Sequence, residues 1–318
     1  MSAPSRRQLG GPGRSRAVSG RGVLVATLVL VSSLTAALAW RAAQAPAGSP
    51  LQRSVTDQLA AAVGQVEDAI AGGIADAPRV SLPGDPPGYV RVRRPDVPPG
   101  PRRVGIQAGH WKTQEAPPEL GRILTQTGTS WNGLTEWEVN IDVAERVAGL
   151  LRDKGLVVDV LPTTIPPGYL ADAFVALHAD GDGVGDKSGY KVSHSTRRTP
   201  FEDRLVADVR AEYEAATGLD FDAAGITRNM TGYYAFAWSR VRYSAAPHTP
   251  SAILEMGFLS NDHDRGLMTA QADEVATGIA NGILRFLDEV PPATLFGQDL
   301  LLPPAPAFRP ASPSPSAP

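Results

Sequence analysis

The stretch that decides the fold is Ser251-Ala252-Ile253-Leu254-Glu255-Met256-Gly257-Phe258-Leu259-Ser260-Asn261. Its apolar run predicts a short buried strand, Ala252 to Leu254, that ends by presenting Glu255. Gly257 is expected to turn the chain, and Asn261 or Asp262 is expected to cap the helix that follows. A carboxylate at the end of a buried strand costs free energy unless it meets a cation or keeps its proton. The stretch therefore predicts a site whose other members lie at neighbouring strand ends.

Two more apolar runs end on histidine. Val104–Ala108 is followed by Gly109-His110, and Ala173–Leu177 is followed by His178. Each histidine alone is more typical of a turn that hydrogen-bonds locally. Two strand ends of the same kind, however, predict that both imidazoles lie on one rim of a parallel sheet. They become candidates for a shared metal site.

Strand-like and helix-like runs alternate between residues 104 and 290. Apolar residues at spacings of three and four predict helices over Glu136–Lys154, Glu202–Ala216 and about 263–287. Further strands are predicted at Leu156–Leu161 and Tyr190–Ser193. Such alternation is typical of α/β proteins in which crossover helices cover a mostly parallel sheet. We therefore expect a single three-layer α/β domain, with helices on both faces of the sheet.

A third ligand is expected from Thr135-Glu136-Trp137-Glu138. Thr135 is a good N-cap, and Glu138 occupies the capping-box position that reaches back to the cap. Glu136 has no capping role and is free to face the rim where the two histidines lie, although the helix dipole would also favour an acid there. Because two histidines lack a carboxylate partner, the sequence predicts a zinc site of His110, Glu136 and His178.

Glu255 then has a chemical role. Zinc lowers the pKa of a bound water from about 15.7 towards about 7, and Glu255 is predicted to act as the general base for that water. It would afterwards protonate the leaving amine. The structural alternative is a buried carboxylate paired with Arg240 or Arg242.

Other polar residues have weaker claims. His248 precedes the Glu255 strand and is a candidate for contacting an oxyanion or a substrate carboxylate, or is a loop histidine without a role. Asp172 and Asp180 flank the His178 strand, and either is a candidate partner for the second nitrogen of that imidazole. The residues alone do not choose between them.

The same residues carry a resemblance to a known family. The motifs, in chain order, are Gly109-His110, Glu136 with Val139-Asn140, His178-Ala179-Asp180, and Glu255-Met256-Gly257-Phe258-Leu259-Ser260-Asn261. With them, the chain from Val104 to about Leu287 resembles the zinc-dependent N-acetylmuramoyl-L-alanine amidases. These enzymes cut the bond between N-acetylmuramic acid and the first L-alanine of the stem peptide. The resemblance implies Zn²⁺ at His110, Glu136 and His178, a catalytic Glu255, and peptidoglycan as substrate.

The sequence departs from the family pattern in two places. Trp111-Lys112 follows His110 where the family often has two glycines, and Asp180 stands where it often has asparagine. A wide segment also precedes Glu136. We hypothesise that Gln114–Gly128 lies over the metal and restricts access to it.

Two other functions compete with this interpretation. A zinc peptidase acting on stem peptides usually pairs its ligands as His-x-x-Glu, but Thr113 is the third residue after His110. An inactive wall-binding or regulatory module on the same fold would be free to lose ligands, whereas all four site positions are filled.

Composition limits the classes of partner and chemistry. The chain has 318 residues, 42% of them hydrophobic, with a net charge of -3 and a pI of about 6.0. This balance gives no electrostatic case for a nucleic acid partner. The absence of cysteine excludes disulfides, thiolate metal sites and cysteine nucleophiles. The imidazole ligands can come only from His110, His178, His194, His248 and His263.

The N-terminal region predicts a membrane attachment. Residues 1–21 contain arginine but no acid, and residues 22–40 are uncharged over a length close to the ~20 residues that span a bilayer. Arginine on the N-terminal side predicts a cytoplasmic N-terminus and a catalytic domain outside the membrane, in the bacterial cell envelope. Trp40-Arg41 favours an uncleaved anchor. A signal peptide cleaved near Ala43-Gln44-Ala45 is the alternative.

The flanking segments are expected to be linkers. Residues 41–103 combine an amphipathic helix over Leu51–Gly72 with a proline-rich spacer over Arg79–Arg103. The helix would serve as a stalk, as a dimer seam or by packing on the main domain. A second proline-rich segment, residues 291–318, is expected not to fold.

Overall fold

The computed structural model describes residues 79–303, apart from residues 81, 83, 98 and 197. The segments predicted at 1–21 and 22–40, and the helix predicted over Leu51–Gly72, lie outside these residues. Among the helices in the described part of the chain, none is long and apolar enough to cross a membrane.

The described part of the chain alternates strands and helices, as expected. The strands are β1 (Arg79–Val80), β2 (Val90–Val92), β3 (Arg103–Ala108), β4 (Ser130–Trp131), β5 (Leu134–Thr135), β6 (Val157–Leu161), β7 (Ala173–Asp180), β8 (Lys191–Ser193), β9 (Ser251–Phe258) and β10 (Leu300–Leu302). The α-helices are α1 (Glu136–Arg152), α2 (Pro200–Thr217), α3 (Arg228–Thr231), α4 (Asp262–Ala270), α5 (Ala272–Glu289) and α6 (Pro292–Phe296). Short 3-10 helices lie at Thr113–Glu115, Pro118–Thr125 and Tyr234–Phe236.

A five-stranded sheet forms the centre, in the order β6-β3-β7-β9-β8. All neighbouring pairs are parallel except β8 with β9, which is antiparallel. The mixed α/β class and the mostly parallel sheet are therefore confirmed. In the register of β7 and β9, His178 lies beside Glu255.

The two faces of the sheet are covered differently. Alternate residues of β3, β7 and β9, such as Ile106 and Leu254, pack against α1, α2, α4 and α5 in the larger core. The opposite residues, such as Phe174, contact a smaller core made by irregular chain together with α3. Helices were expected on both faces, but the long ones all lie on one. The connection 162–172 carries three prolines, which lack the N–H that a helix interior needs.

Two predicted boundaries near the Glu255 strand were wrong. β9 does not turn at Gly257 but continues to Phe258, whose N–H donates to the Asp264 carboxylate at 3.0 Å. Gly257 is needed for close approach instead, because a Cβ there would lie 3.0 Å from the Cβ of Asp264. The last helix is divided at Gln271 into α4 and α5, and of the two candidate caps it is Asn261 that caps α4.

The proline-rich flanks form a second sheet. β2 lies between β1 and β10, and both pairs are antiparallel. Val92, Leu300 and Leu302 are buried there beside Trp238. This corrects the expectation of an extended spacer over Arg79–Arg103 and of an unfolded tail from residue 291. Proline-rich chain is already extended, and the apolar residues on either side of Arg91 make it competent to pair as a strand.

Arg102 joins the end of the spacer to the main domain. Its Nε donates to Asp172 at 2.9 Å, and its guanidinium also donates to the carbonyl oxygens of Leu287 and Val290. The second oxygen of Asp172 accepts from the N–H of Arg103 at 2.8 Å. The side chains of Arg102 and Asp172 are only 17% and 8% exposed. This cluster connects the start of β3, the start of β7 and the end of α5.

We predict that Arg102→Ala lowers the free energy of unfolding by about 3 kcal/mol, because it leaves a buried carboxylate and two helix-end carbonyls without their donor. Arg103→Ala is the matched control. Its ion pair with Asp159 is 46% and 30% exposed, so its loss should cost less than about 1 kcal/mol. Denaturant unfolding of both variants measures the difference, and equal losses would contradict the structural role given to Arg102.

Candidate metal centre

His110, Glu136 and His178 converge at the carboxyl end of the sheet. His110 follows β3, Glu136 is the first residue of α1, and His178 lies within β7, two residues before its end. One ligand atom from each residue lies within 4.8 Å of the others. The two imidazole rings are 4.9 Å apart and nearly perpendicular. The predicted trio therefore comes together, although β7 runs further than expected.

The Glu136 carboxylate is the centre of this cluster. Its Oε1 lies 3.0 Å from Nδ1 of His178 and 3.5 Å from Nε2 of His110. The same oxygen accepts from the N–H of Ala179 at 3.1 Å, and Oε2 accepts from the N–H of Thr129 at 2.9 Å. Each carboxylate oxygen thus has a backbone donor, which fixes the orientation of the group.

Local helix chemistry explains why Glu136 is free for this position. Glu138 accepts from the N–H of Thr135 at 3.1 Å and from its hydroxyl at 2.6 Å, so it forms the predicted capping box. One turn further along α1, the buried Asn140 donates to the carbonyl oxygen of Gly109 at 3.0 Å. Helix α1 therefore holds both its own carboxylate and the residue that precedes His110.

Burial and charge set the ionisation of the three groups. Burial alone would raise the pKa of Glu136, but the hydrogen bond with His178 and the charges of both imidazoles lower that pKa to about 2. Burial lowers the pKa of His110. Burial also opposes charge on His178, but its hydrogen bond to Glu136 and the charge of Glu255 raise its pKa. Glu136 is therefore ionised at neutral pH.

His110 presents a nitrogen that can bind a cation. Its Nδ1 lies 2.7 Å from the carbonyl oxygen of Gln126, which can only accept, so Nδ1 carries the proton. Nε2 is left with a lone pair that faces Glu136. The backbone of His110 has a φ of 62°, a left-handed conformation that is uncommon for residues other than glycine. Two imidazoles and an ionised carboxylate are a donor set that suits zinc and related divalent ions.

Glu255 lies beside this cluster on the neighbouring strand. It is the register partner of His178 and shares the sheet face of Ile253, away from the long helices. Burial raises its pKa, His178 and Lys191 oppose that rise, and the charge of Glu136 adds to it; the net result is a raised pKa. A carboxyl group with a raised pKa holds a proton more readily than an exposed one, which suits a residue that takes a proton and later gives it up.

Lys191 was missed by the sequence reasoning. It is the register partner of Glu255 on β8, it is buried, and its Nζ contacts the carboxylate of Asp180. The cation beside Glu255 is thus a lysine, where Arg240 or Arg242 had been considered. A lysine inside the predicted strand Tyr190–Ser193 was the available signal, since lysine is rarely buried without a partner.

The second nitrogen of His178 also has a different partner from those considered. Asp180 binds Lys191, and Asp172 binds Arg102. Nε2 of His178 instead lies 3.3 Å from the hydroxyl of Tyr233. No local pattern marks Tyr233, because its contact with His178 exists only in the folded chain.

His248 does not join the site. It precedes β9, whereas Glu255 lies near the other end of that strand. The four residue steps from Ser251 to Glu255 alone span roughly 13 Å of extended chain. The geometry therefore removes His248 as a candidate for contact with the reacting groups.

The segment before β4 borders the site. Its Gln126 carbonyl accepts from His110, and a cleft of about 450 Å³ opens between this segment, His110 and Trp137. Glu119 is held elsewhere, since it accepts from the N–H of Arg242 at 3.0 Å. The segment thus lies against His110 and leaves an opening beside it.

The chain is similar to a known protein family. A family model described as N-acetylmuramoyl-L-alanine amidase matches residues 104–285. No curated protein matches the chain.

Three similar solved structures are described as amidases of this kind. Ami1 from Mycobacterium smegmatis is 19% identical, covers 59% of this chain and 97% of its own, and has a TM-score of 0.44. AmiC2 of Nostoc punctiforme is 22% identical over 59% of this chain and 98% of its own, with a TM-score of 0.42. The amidase from Clostridium difficile 630 is 17% identical over 59% and 97%, with a TM-score of 0.42.

The match to the family model covers more than half of the chain and spans His110, Glu136, His178 and Glu255. The chain belongs to the N-acetylmuramoyl-L-alanine amidase family.

Proposed function

We propose that this amidase cuts the bond between N-acetylmuramic acid and L-alanine with Zn²⁺ held by His110, Glu136 and His178, and with Glu255 as the acid–base residue. The observation that carries the proposal is the convergence of three ligand atoms within 4.8 Å, beside the strand that carries Glu255. Two imidazoles and one carboxylate are the ligand number typical of a catalytic zinc site, which keeps one position open.

The residues around the metal position have different roles. When bound, Zn²⁺ would act as a Lewis acid that lowers the pKa of a bound water. Glu136 supplies negative charge, and its backbone donors keep it in place. Glu255 accepts a proton from the attacking water and later donates it to the nitrogen of the departing L-alanine, so its own charge is restored at the end of the cycle.

The cleft beside His110 provides a route for the substrate. Trp137 is 37% exposed on one side, and Leu124 is 46% exposed on the other. Peptidoglycan offers sugar rings and short peptides, both of which suit an open cleft with apolar walls. We propose that the wall strand lies along this cleft, with the scissile amide next to His110.

Location follows from the substrate. A peptidoglycan amidase acts outside the cytoplasm, so we propose that the catalytic domain over residues 104–290 is exported. Attachment through residues 22–40 remains a prediction from the arginine flank and the uncharged run. The mass of the mature N-terminus measures whether this segment is retained as an anchor or removed as a signal peptide.

Glu255→Gln should reduce the rate of muropeptide cleavage by about 10²–10⁴-fold, because the amide cannot exchange a proton with the substrate. Zinc content should stay near that of the unaltered protein, since Glu255 is not among the three ligands. Product mass from purified wall and elemental analysis give the two readouts. Full activity in Glu255→Gln would exclude the acid–base role.

Removal of zinc by a chelator should abolish cleavage, and added Zn²⁺ should restore it, because the lowered pKa of the bound water depends on the ion. The control is Glu255→Gln, which zinc should not rescue. Wall clearing that persists in excess chelator would contradict a metal-dependent mechanism.

Gly128 offers a second test of the site. A Cβ at this residue would lie 2.6 Å from Oε2 of Glu136 and 2.9 Å from Cδ2 of His110. Gly133 has nearly the same left-handed backbone, with φ of 81° against 79°, but nothing lies within 4 Å of its would-be Cβ. Alanine substitutions at the two glycines can therefore be compared. The comparison separates the cost of a left-handed alanine from the effect of crowding the site.

Gly128→Ala should weaken zinc binding by about tenfold or more, because it displaces two ligands, and cleavage should fall with it. Gly133→Ala should lose only the ~1 kcal/mol of stability that a left-handed alanine costs. Chelator competition measures affinity in both variants. Equal zinc affinities would contradict the packing of Gly128 against the ligands.

A further inference from the structure

Gln107 is a fully buried polar residue that the mechanism above does not use. It lies on the face of β3 opposite Ile106 and Ala108, which pack against the long helices. Its Nε2 donates to the carbonyl oxygen of Thr163 at 2.8 Å and lies 3.3 Å from that of Pro162. Carbonyl oxygens only accept, so the amide nitrogen must face them and Oε1 must face the other way.

Tyr233 occupies that other side. Its hydroxyl lies 2.9 Å from Oε1 of Gln107 and 3.3 Å from Nε2 of His178. An amide oxygen can only accept, so the single phenolic proton is directed at Gln107. The lone pairs of the hydroxyl are then left for His178, and they require a hydrogen on Nε2.

The other nitrogen of His178 faces the metal position. Nδ1 lies 3.0 Å from Oε1 of Glu136, the oxygen that also approaches Nε2 of His110. The two histidines therefore present opposite nitrogens to the same point. In each, the remote nitrogen has an oxygen partner: the Gln126 carbonyl for His110 and the Tyr233 hydroxyl for His178.

We infer that Tyr233 and Gln107 are positioning residues for the metal, forming a hydrogen-bonded chain that keeps Nε2 of His178 protonated and turns Nδ1 towards the ion. This inference rests on the metal site proposed above. Outer partners of this kind orient a ligating imidazole and raise its basicity, and their loss typically costs 10–100-fold in metal affinity.

Packing holds Tyr233 rigidly in this hydrogen-bonded chain. Its ring meets the imidazole of His178 edge-on at 5.5 Å, and it contacts the rings of Tyr234 and Phe236 at 4.9 and 5.6 Å. Gln107 is held on its other side by the hydroxyl of Tyr234 at 2.8 Å. A packed aromatic cluster therefore holds the hydroxyl of Tyr233 against His178. Removal of that hydroxyl alone leaves the cluster intact.

Tyr233→Phe removes one oxygen and keeps the ring. We expect its zinc affinity, measured by competition with a chelating dye, to fall by about 10–100-fold. Tyr169→Phe is the matched control, because Tyr169 is also buried in the smaller core but donates to Asp159 at 2.7 Å. Its zinc affinity should equal that of the unaltered protein, and thermal unfolding of both metal-free variants reports any general loss of stability.

A spectroscopic readout separates positioning from packing. In the zinc-loaded protein labelled with ¹⁵N-histidine, we expect the His178 signals of an Nε2–H imidazole bound through Nδ1. Tyr233→Phe should weaken that preference, whereas Tyr169→Phe should not.

The inference is overturned if Tyr233→Phe binds zinc as tightly as the unaltered protein, or if Tyr169→Phe loses as much affinity. It is also overturned if His178 binds zinc through Nε2. An unaltered protein that binds no zinc would instead overturn the metal site itself, so the two failures give different results.

Discussion

Glu136 places an ionised carboxylate inside the protein, and its surroundings show how the cost of that burial is offset. An uncompensated buried ion costs several kcal/mol, so each lone pair needs a donor or a cation. The N–H groups of Thr129 and Ala179 satisfy part of this need. The facing nitrogens of His110 and His178 lie 3.5 and 3.0 Å from Oε1, around the position where a bound cation would satisfy the rest. These partners come from separate parts of the chain, so the carboxylate acquires its environment only when the sheet and α1 have assembled.

The sheet supplies the geometry that this cluster requires. Because β3, β7 and β9 are parallel neighbours, their carboxyl ends deliver His110, His178 and Glu255 to one edge. The register pairing of His178 with Glu255 places the proposed ligand and the proposed acid–base residue side by side. The long helices occupy the opposite face, which leaves the site face to irregular chain and to Tyr233. Because the faces differ, the hydrogen bonds from His178 to Tyr233 and from Tyr233 to Gln107 lie outside the larger core.

The main features of the site could be predicted from sequence because local rules mark them. Apolar runs ending at His110 and His178 locate strand ends, and the capping box assigns Glu138 to the helix and releases Glu136. The partners that orient these groups could not be predicted in this way. Gln107 and Tyr233 are far apart in the chain, and Lys191 meets Glu255 only through the antiparallel pairing of β8 with β9.

The fold, like the site, could be predicted only in part. Helical periodicity found α1 and α2 to within about two residues, but it merged α4 with α5 across Gln271. Proline content indicated an extended spacer and an unfolded tail, yet β2 pairs with β1 and β10. An extended spacer and a paired strand have the same local backbone signature, and only the partner strands distinguish them.

The central claim is that His110, Glu136 and His178 bind one zinc ion. The most direct measurement is anomalous diffraction at the zinc edge from crystals grown with Zn²⁺. The account predicts one peak about 2.0–2.2 Å from Nε2 of His110, Nδ1 of His178 and Oε1 of Glu136. No peak at this position, or a strong peak bound by other residues alone, would contradict it.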